Sequence, residues 1–105
     1  MKYTPENWKL INYIGTPALL EQTAEEATEL AFACLKYARY LRGENKVYGR
    51  TRESLLENLE EEIADVCICA NELQEGYIID TNNLYTMISD KTRRMIDRFQ
   101  EEKTI

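Results

Sequence analysis

Apolar residues recur at alternating steps of four and three along two long stretches of this chain. The first set is Leu20, Ala24, Ala27, Ala31, Cys34, Ala38 and Leu41; the second is Leu56, Leu59, Ile63, Val66, Ala70, Leu73 and Tyr77. Residues so spaced share one face only on an α-helix, so each stretch predicts an amphipathic helix with a bundle seam. The first seam consists mostly of small residues, which let a neighbouring helix approach closely.

Local punctuation bounds the elements. Thr16-Pro17 supplies an N-cap followed by proline at the first helical position, and Gly43 supplies a stop, predicting a helix from about Ala18 to Arg42. Thr51 can cap a second helix, Arg52 to Glu75, with Gly76 just past its end as the expected left-handed terminator. Asp80 then caps a third, Thr81 to about Gln100, with Leu84, Ile88, Met95 and Phe99 on its inner side. An earlier Thr4-Pro5 signal predicts a short helix from Pro5 to about Tyr13, closed by Gly15. Glu44 to Arg50 reads as a polar loop, and 101–105 as a frayed tail. No strand signal extends beyond two or three residues. The expectation is one all-α domain over 1–105, core about 18–100, with three main helices and a short N-terminal one. Three long helices leave apolar faces open, so a homodimer is expected to complete the bundle, with a tetramer as the larger option.

Composition narrows the function. The chain of 105 residues is 44% apolar and 30% charged, which is globular rather than disordered. A net charge of −6 argues against nucleic-acid binding, where a basic footprint is expected. It leaves room for a single nucleotide whose site is screened by cations. There is no histidine, which rules out Ser-His-Asp and Cys-His catalysis, His-containing zinc sites and the Glu-x-x-His di-iron motif. Cys34, Cys67 and Cys69 form no paired CxxC signature and read as reduced, small core residues. The N-terminus lacks the apolar run of a signal peptide, and no stretch nears the ~20 apolar residues of a membrane span. A cytoplasmic protein without membrane contact is expected.

Two acidic clusters remain to be explained. Glu26 and Glu29, within Glu25-Glu26-Ala27-Thr28-Glu29, lie three apart on the first long helix; Glu62 and Asp65 lie three apart on the second. Each pair borders an apolar stripe, where carboxylates are unfavourable unless something positive sits between them. If the two helices pack antiparallel, the four acids converge on one pocket. A hard divalent ion, Mg²⁺ with Mn²⁺ as substitute, takes such oxygen ligands and leaves coordination positions for water and phosphate. Acids on helices are more commonly a solvated face, but two such pairs on successive helices are a stronger signal than one. Lys91 falls on the inner side of the third helix, where an apolar residue is expected. It reads as a phosphate contact, with Arg94 one turn on and Lys36 as weaker companions, or as a lysine whose amine snorkels outward. Asn71 is a candidate for sugar or base. Trp8, Phe32, Tyr37, Tyr40 and Tyr48 read first as core or dimer anchors and second as a stacking surface.

Glu-Glu-Ala-Thr-Glu-Leu at 25–30, followed by Glu-Glu-Ile-Ala-Asp-Val at 61–66, resembles the EExxE…ExxD signature of MazG-type nucleoside triphosphate pyrophosphohydrolases. These belong to the all-α NTP pyrophosphatase superfamily, which also holds the dimeric dUTPases. Ile79-Asp80-Thr81 and Lys91-Thr92-Arg93-Arg94 resemble the segment that follows the family's ExxD helix, so the likeness covers about residues 18–100. The resemblance implies a helical dimer or dimer of dimers that binds Mg²⁺ and splits nucleoside triphosphates between the α- and β-phosphates. It implies Glu26, Glu29, Glu62 and Asp65 as metal ligands. Glu25, with Glu29 and Glu62, would form the catalytic set, Glu25 either supporting the metal ligands from behind or orienting the attacking water. The interval between Glu29 and Glu62 is longer than in compact members, so the resemblance speaks to the chemistry more than to the base recognised. Two other classes stay open: an all-α dimeric interaction module, and a nucleotide sensor that binds without turnover.

Overall fold

The computed structural model describes residues 10–44 and 50–104. They form three α-helices, α1 (Leu10–Arg42), α2 (Arg52–Glu75) and α3 (Thr81–Thr104), and no strand occurs among the described residues. Residues 5–9 of the expected short N-terminal helix, and Trp8 and Tyr48, lie outside the described residues. From Leu10 the helix runs on into α1, broken at Gly15, whose φ of 79° and ψ of 169° only glycine adopts freely. The helix resumes at Thr16, the expected cap, so that Gly15, one residue earlier, holds the cap position and Pro17 lies in the first turn. Gly43, at φ 71°, stops it.

The start of α2 is fixed by a capping box. The Ser54 amide donates to Thr51 Oγ1 at 3.1 Å, and the Thr51 amide donates to Ser54 Oγ at 3.0 Å. Its end differs from expectation. Gly76 stays at φ −84°, and the left-handed residue is Tyr77, at φ 58°. The Tyr77 amide donates to Gln74 O at 3.1 Å and the Ile78 amide to Leu73 O at 3.0 Å, which together make a Schellman motif around a tyrosine. Asp80 caps α3 by accepting from the Asn83 amide at 2.9 Å. The helix continues to Thr104 rather than fraying after Gln100.

Packing between elements is concentrated where α1 meets α2. The two helices run antiparallel: Arg52 Nε donates to the Tyr37 hydroxyl at 3.2 Å at one end, and Cys69 meets Thr23 towards the other. Leu19, Ala33, Leu55 and Cys69 are buried in this seam. That corrects the predicted seam of α1. Leu20, Ala24, Ala27, Ala31, Cys34 and Leu41 are exposed, and the helix turns Leu19, Glu26, Leu30 and Ala33 towards α2 instead. Both stripes have helical spacing, and the small-residue stripe lies about a quarter-turn away from the one α2 covers. The cysteines are corrected too: Cys69 is buried, whereas Cys34 on α1 and Cys67 on α2 are exposed, and all three are free thiols.

The third helix is an arm. Of its expected inner residues Leu84 is half-buried, but Ile88, Met95 and Phe99 are 50%, 57% and 62% exposed, because α3 makes at most marginal contact with the α1–α2 hairpin. The radius of gyration of 17.8 Å exceeds the roughly 13 Å of a compact chain this long. No described helix is long and apolar enough to cross a membrane.

Candidate metal centre

The antiparallel pairing brings the two acidic motifs level with each other. Glu26 and Glu29 from α1 face Glu62 and Asp65 from α2, and each offers a carboxylate oxygen within 4.8 Å of the others. A spacing of three keeps each pair on adjacent turns of one face, and the packed stripe of Leu19, Ala33, Leu55 and Cys69 holds the two faces together. Gln22 Nε2 donates to Glu26 Oε1 at 2.8 Å and orients that carboxylate from one turn earlier.

Four acids at this distance oppose one another. Burial pushes the Glu26 carboxyl above the ordinary carboxylate value; the Gln22 hydrogen bond works against that, and Asp65 and Glu29 add to it. Burial likewise raises Glu62, followed by the charge of Glu29, a carboxyl–carboxyl hydrogen bond with Glu29, and the charges of Asp65 and Glu26. One oxygen on each of these two side chains, Glu26 Oε2 and Glu62 Oε2, is buried without a hydrogen-bond partner. Orphaned buried acceptors are costly and uncommon, and a cation is the partner that satisfies several carboxylates at once. The donor set is all oxygen and anionic, which suits Mg²⁺ or Mn²⁺ rather than zinc. Four carboxylate oxygens within 4.8 Å of one another can all reach one hard divalent ion. The residues fit such an ion.

The remaining candidates fall outside the four. Glu25 is exposed on α1 and does not join the cluster. Lys36 is half-buried on α1, roughly two turns past Glu29, while Asn71 is exposed on α2. Lys91 and Arg94 are exposed on the α3 arm, where Arg94 Nε donates to Asp90 O at 3.4 Å; their helix makes at most marginal contact with the hairpin that carries the acids. Tyr37 and Tyr40 stack with ring centroids 6.5 Å apart, and the Arg52 contact holds Tyr37 at the far end of the hairpin. Phe32 is 59% exposed and anchors no core. Sequence reasoning did not single out Gln22, whose signal was its position four residues before Glu26. No family model, curated protein or solved structure matches this chain.

Proposed function

We propose that this chain is a Mg²⁺-dependent nucleoside triphosphate pyrophosphohydrolase that works as a homodimer. The observation that carries the reading is the convergence of Glu26, Glu29, Glu62 and Asp65 from two helices, with a buried, unpartnered oxygen on two of them. These four carboxylates would hold the ion. Bound there, Mg²⁺ supplies charge neutralisation for the phosphates and a more acidic water. The chain's own contribution is placement. Gln22 fixes the rotamer of Glu26, and the α1–α2 seam sets the separation of the two acidic pairs. Glu25, exposed beside the cluster, orients water, and Lys36 offers a positive charge on the same helix. In the reaction, water adds at the α-phosphorus and the bond to the bridging oxygen breaks, so that the monophosphate and pyrophosphate leave. Nucleotide-pool housekeeping, in the cytoplasm, is the role that suits this chemistry.

Product analysis tests the proposal. Wild-type protein and the Glu62→Gln variant are incubated with Mg²⁺ and a panel of ordinary and modified nucleoside triphosphates. Monophosphate plus pyrophosphate is expected from wild type, with a loss of more than about 100-fold in the variant. Nucleotide binding without turnover would instead mark a sensor. The broad exposed apolar surface of α1 and α3 favours a second reading, an interaction module, under which neither protein turns over and Mg²⁺ leaves both unchanged.

A further inference from the structure

The α1–α2 hairpin has two unlike flanks. At about 100° per residue, Leu20, Ala24, Ala27 and Ala31 lie a quarter-turn from the residues of α1 that meet α2. Leu56, Ile63 and Cys67 lie a quarter-turn from those of α2 that meet α1. Because the helices are antiparallel, the same sense of rotation carries both stripes to the same side. All seven residues are exposed, and they form one apolar flank, with Glu29 and Asp65 turned towards the other. A row of acids, Glu53, Glu57 and Glu60, edges this flank along α2.

The α3 arm has the complementary design. Ile88, Met95 and Phe99 form an exposed apolar stripe, and Lys91, Arg94 and Arg98, at steps of three and four, line one edge of it. An apolar stripe with an acidic edge therefore has, in the same chain, an apolar stripe with a basic edge, carried on a helix that makes at most marginal contact with the hairpin.

We propose that α3 of a second copy docks along the apolar flank of the hairpin, and that the exchange is reciprocal. The resulting two-fold dimer is built by element exchange, with each arm's basic row set against the partner copy's acidic row. Exposed apolar surface of this extent marks an interaction site, and charge complementarity selects the occupant. The dimer leaves the acidic cluster open on the opposite flank. It also gives Lys91 and Arg94 an interfacial role in place of a phosphate contact. The inference names the interface of the homodimer proposed above, yet it rests on neither the metal nor hydrolysis.

Charge reversal in trans tests it. One variant carries Lys91→Glu, Arg94→Glu and Arg98→Glu; the other carries Glu53→Lys, Glu57→Lys and Glu60→Lys. By sedimentation equilibrium the wild type is expected at twice its 12.3 kDa, each variant alone as a monomer of unchanged helicity, and their equimolar mixture as a dimer again. A wild-type monomer at tens of micromolar, a variant that stays dimeric alone, or a mixture that stays monomeric would each overturn the proposal. Should either triple variant fail to fold, Ile88→Cys and Met95→Cys provide the second measurement. Oxidation is expected to link them to Cys67 of another chain, giving a product of doubled mass that Cys67→Ser abolishes. Crosslinks found only within single chains would contradict the exchange.

Discussion

Glu62 holds one carboxylate oxygen in a buried position without a hydrogen-bond partner, next to three other acids. Its carboxyl and that of Glu26 are both raised above the ordinary value of 4.5, chiefly by burial. The sign of the linkage follows. A raised acid binds its proton more tightly in the folded protein than in the unfolded chain. The stabilising contribution is fully present below the ordinary value and is lost as pH rises through the raised values. In chelator, thermal melts should therefore show a stability component from these two groups that grows as pH falls from 7 towards 4.5. Saturating Mg²⁺ should flatten that component, and its persistence in Mg²⁺ would count against the site. At neutral pH without metal, Glu62→Gln should melt above wild type, since it removes a charge from a repelling cluster. The acids were legible in the sequence because a spacing of three on a helix has only one geometric meaning. Gln22 was less so, because a glutamine four residues before a glutamate is common on any helix surface.

At the level of the elements, boundaries were easier to read than faces. Thr51, Gly43 and Asp80 act as the caps and stop that their chemistry suggests, since a cap depends only on neighbours in sequence. Thr51→Ala should cost about 1 kcal/mol, or roughly 4–8 °C in melting temperature for a domain this size. The left-handed residue after α2 shifted from Gly76 to Tyr77, placing a side chain where glycine carries no penalty. Tyr77→Gly should stabilise by about 0.5–1 kcal/mol, the relieved backbone strain being partly offset by glycine's greater chain entropy. A variant that melts lower would show that contacts of the Tyr77 side chain outweigh the strain. The seam of α1 was misassigned for a different reason. This helix has two stripes of helical spacing, and periodicity alone cannot tell which one a partner from the same chain covers. Small residues made the exposed stripe look like an interior, and the same property suits it to close approach by another copy.

For the whole molecule, the hairpin is the packed unit and α3 projects from it, which is why the radius of gyration is large. Burying a single leucine or phenylalanine contributes about 1.5–3 kcal/mol, so covering even a few of the exposed large side chains is comparable to the roughly 5–15 kcal/mol by which a domain is stable. Residue patterns within elements could not reveal that α3 stands away, because its periodicity would be the same against its own hairpin or another. The dimer should weaken as salt rises from 0.05 to 0.5 M, since its edges are charged, while the apolar stripes keep it from dissociating entirely; sedimentation at the two concentrations measures this. Metal should act on the molecule as a whole too. At a Mg²⁺ concentration about 100 times its dissociation constant, ligand linkage adds about 2.7 kcal/mol to stability, a clear upward shift in melting temperature. The most direct test of the account is a calorimetric titration of Mg²⁺ into wild-type protein and into Glu62→Gln. Saturable binding by wild type, lost or weakened at least tenfold in the variant, is the result expected of a carboxylate site that satisfies the orphaned oxygens. Equal heats from both proteins, or none from either, would contradict it.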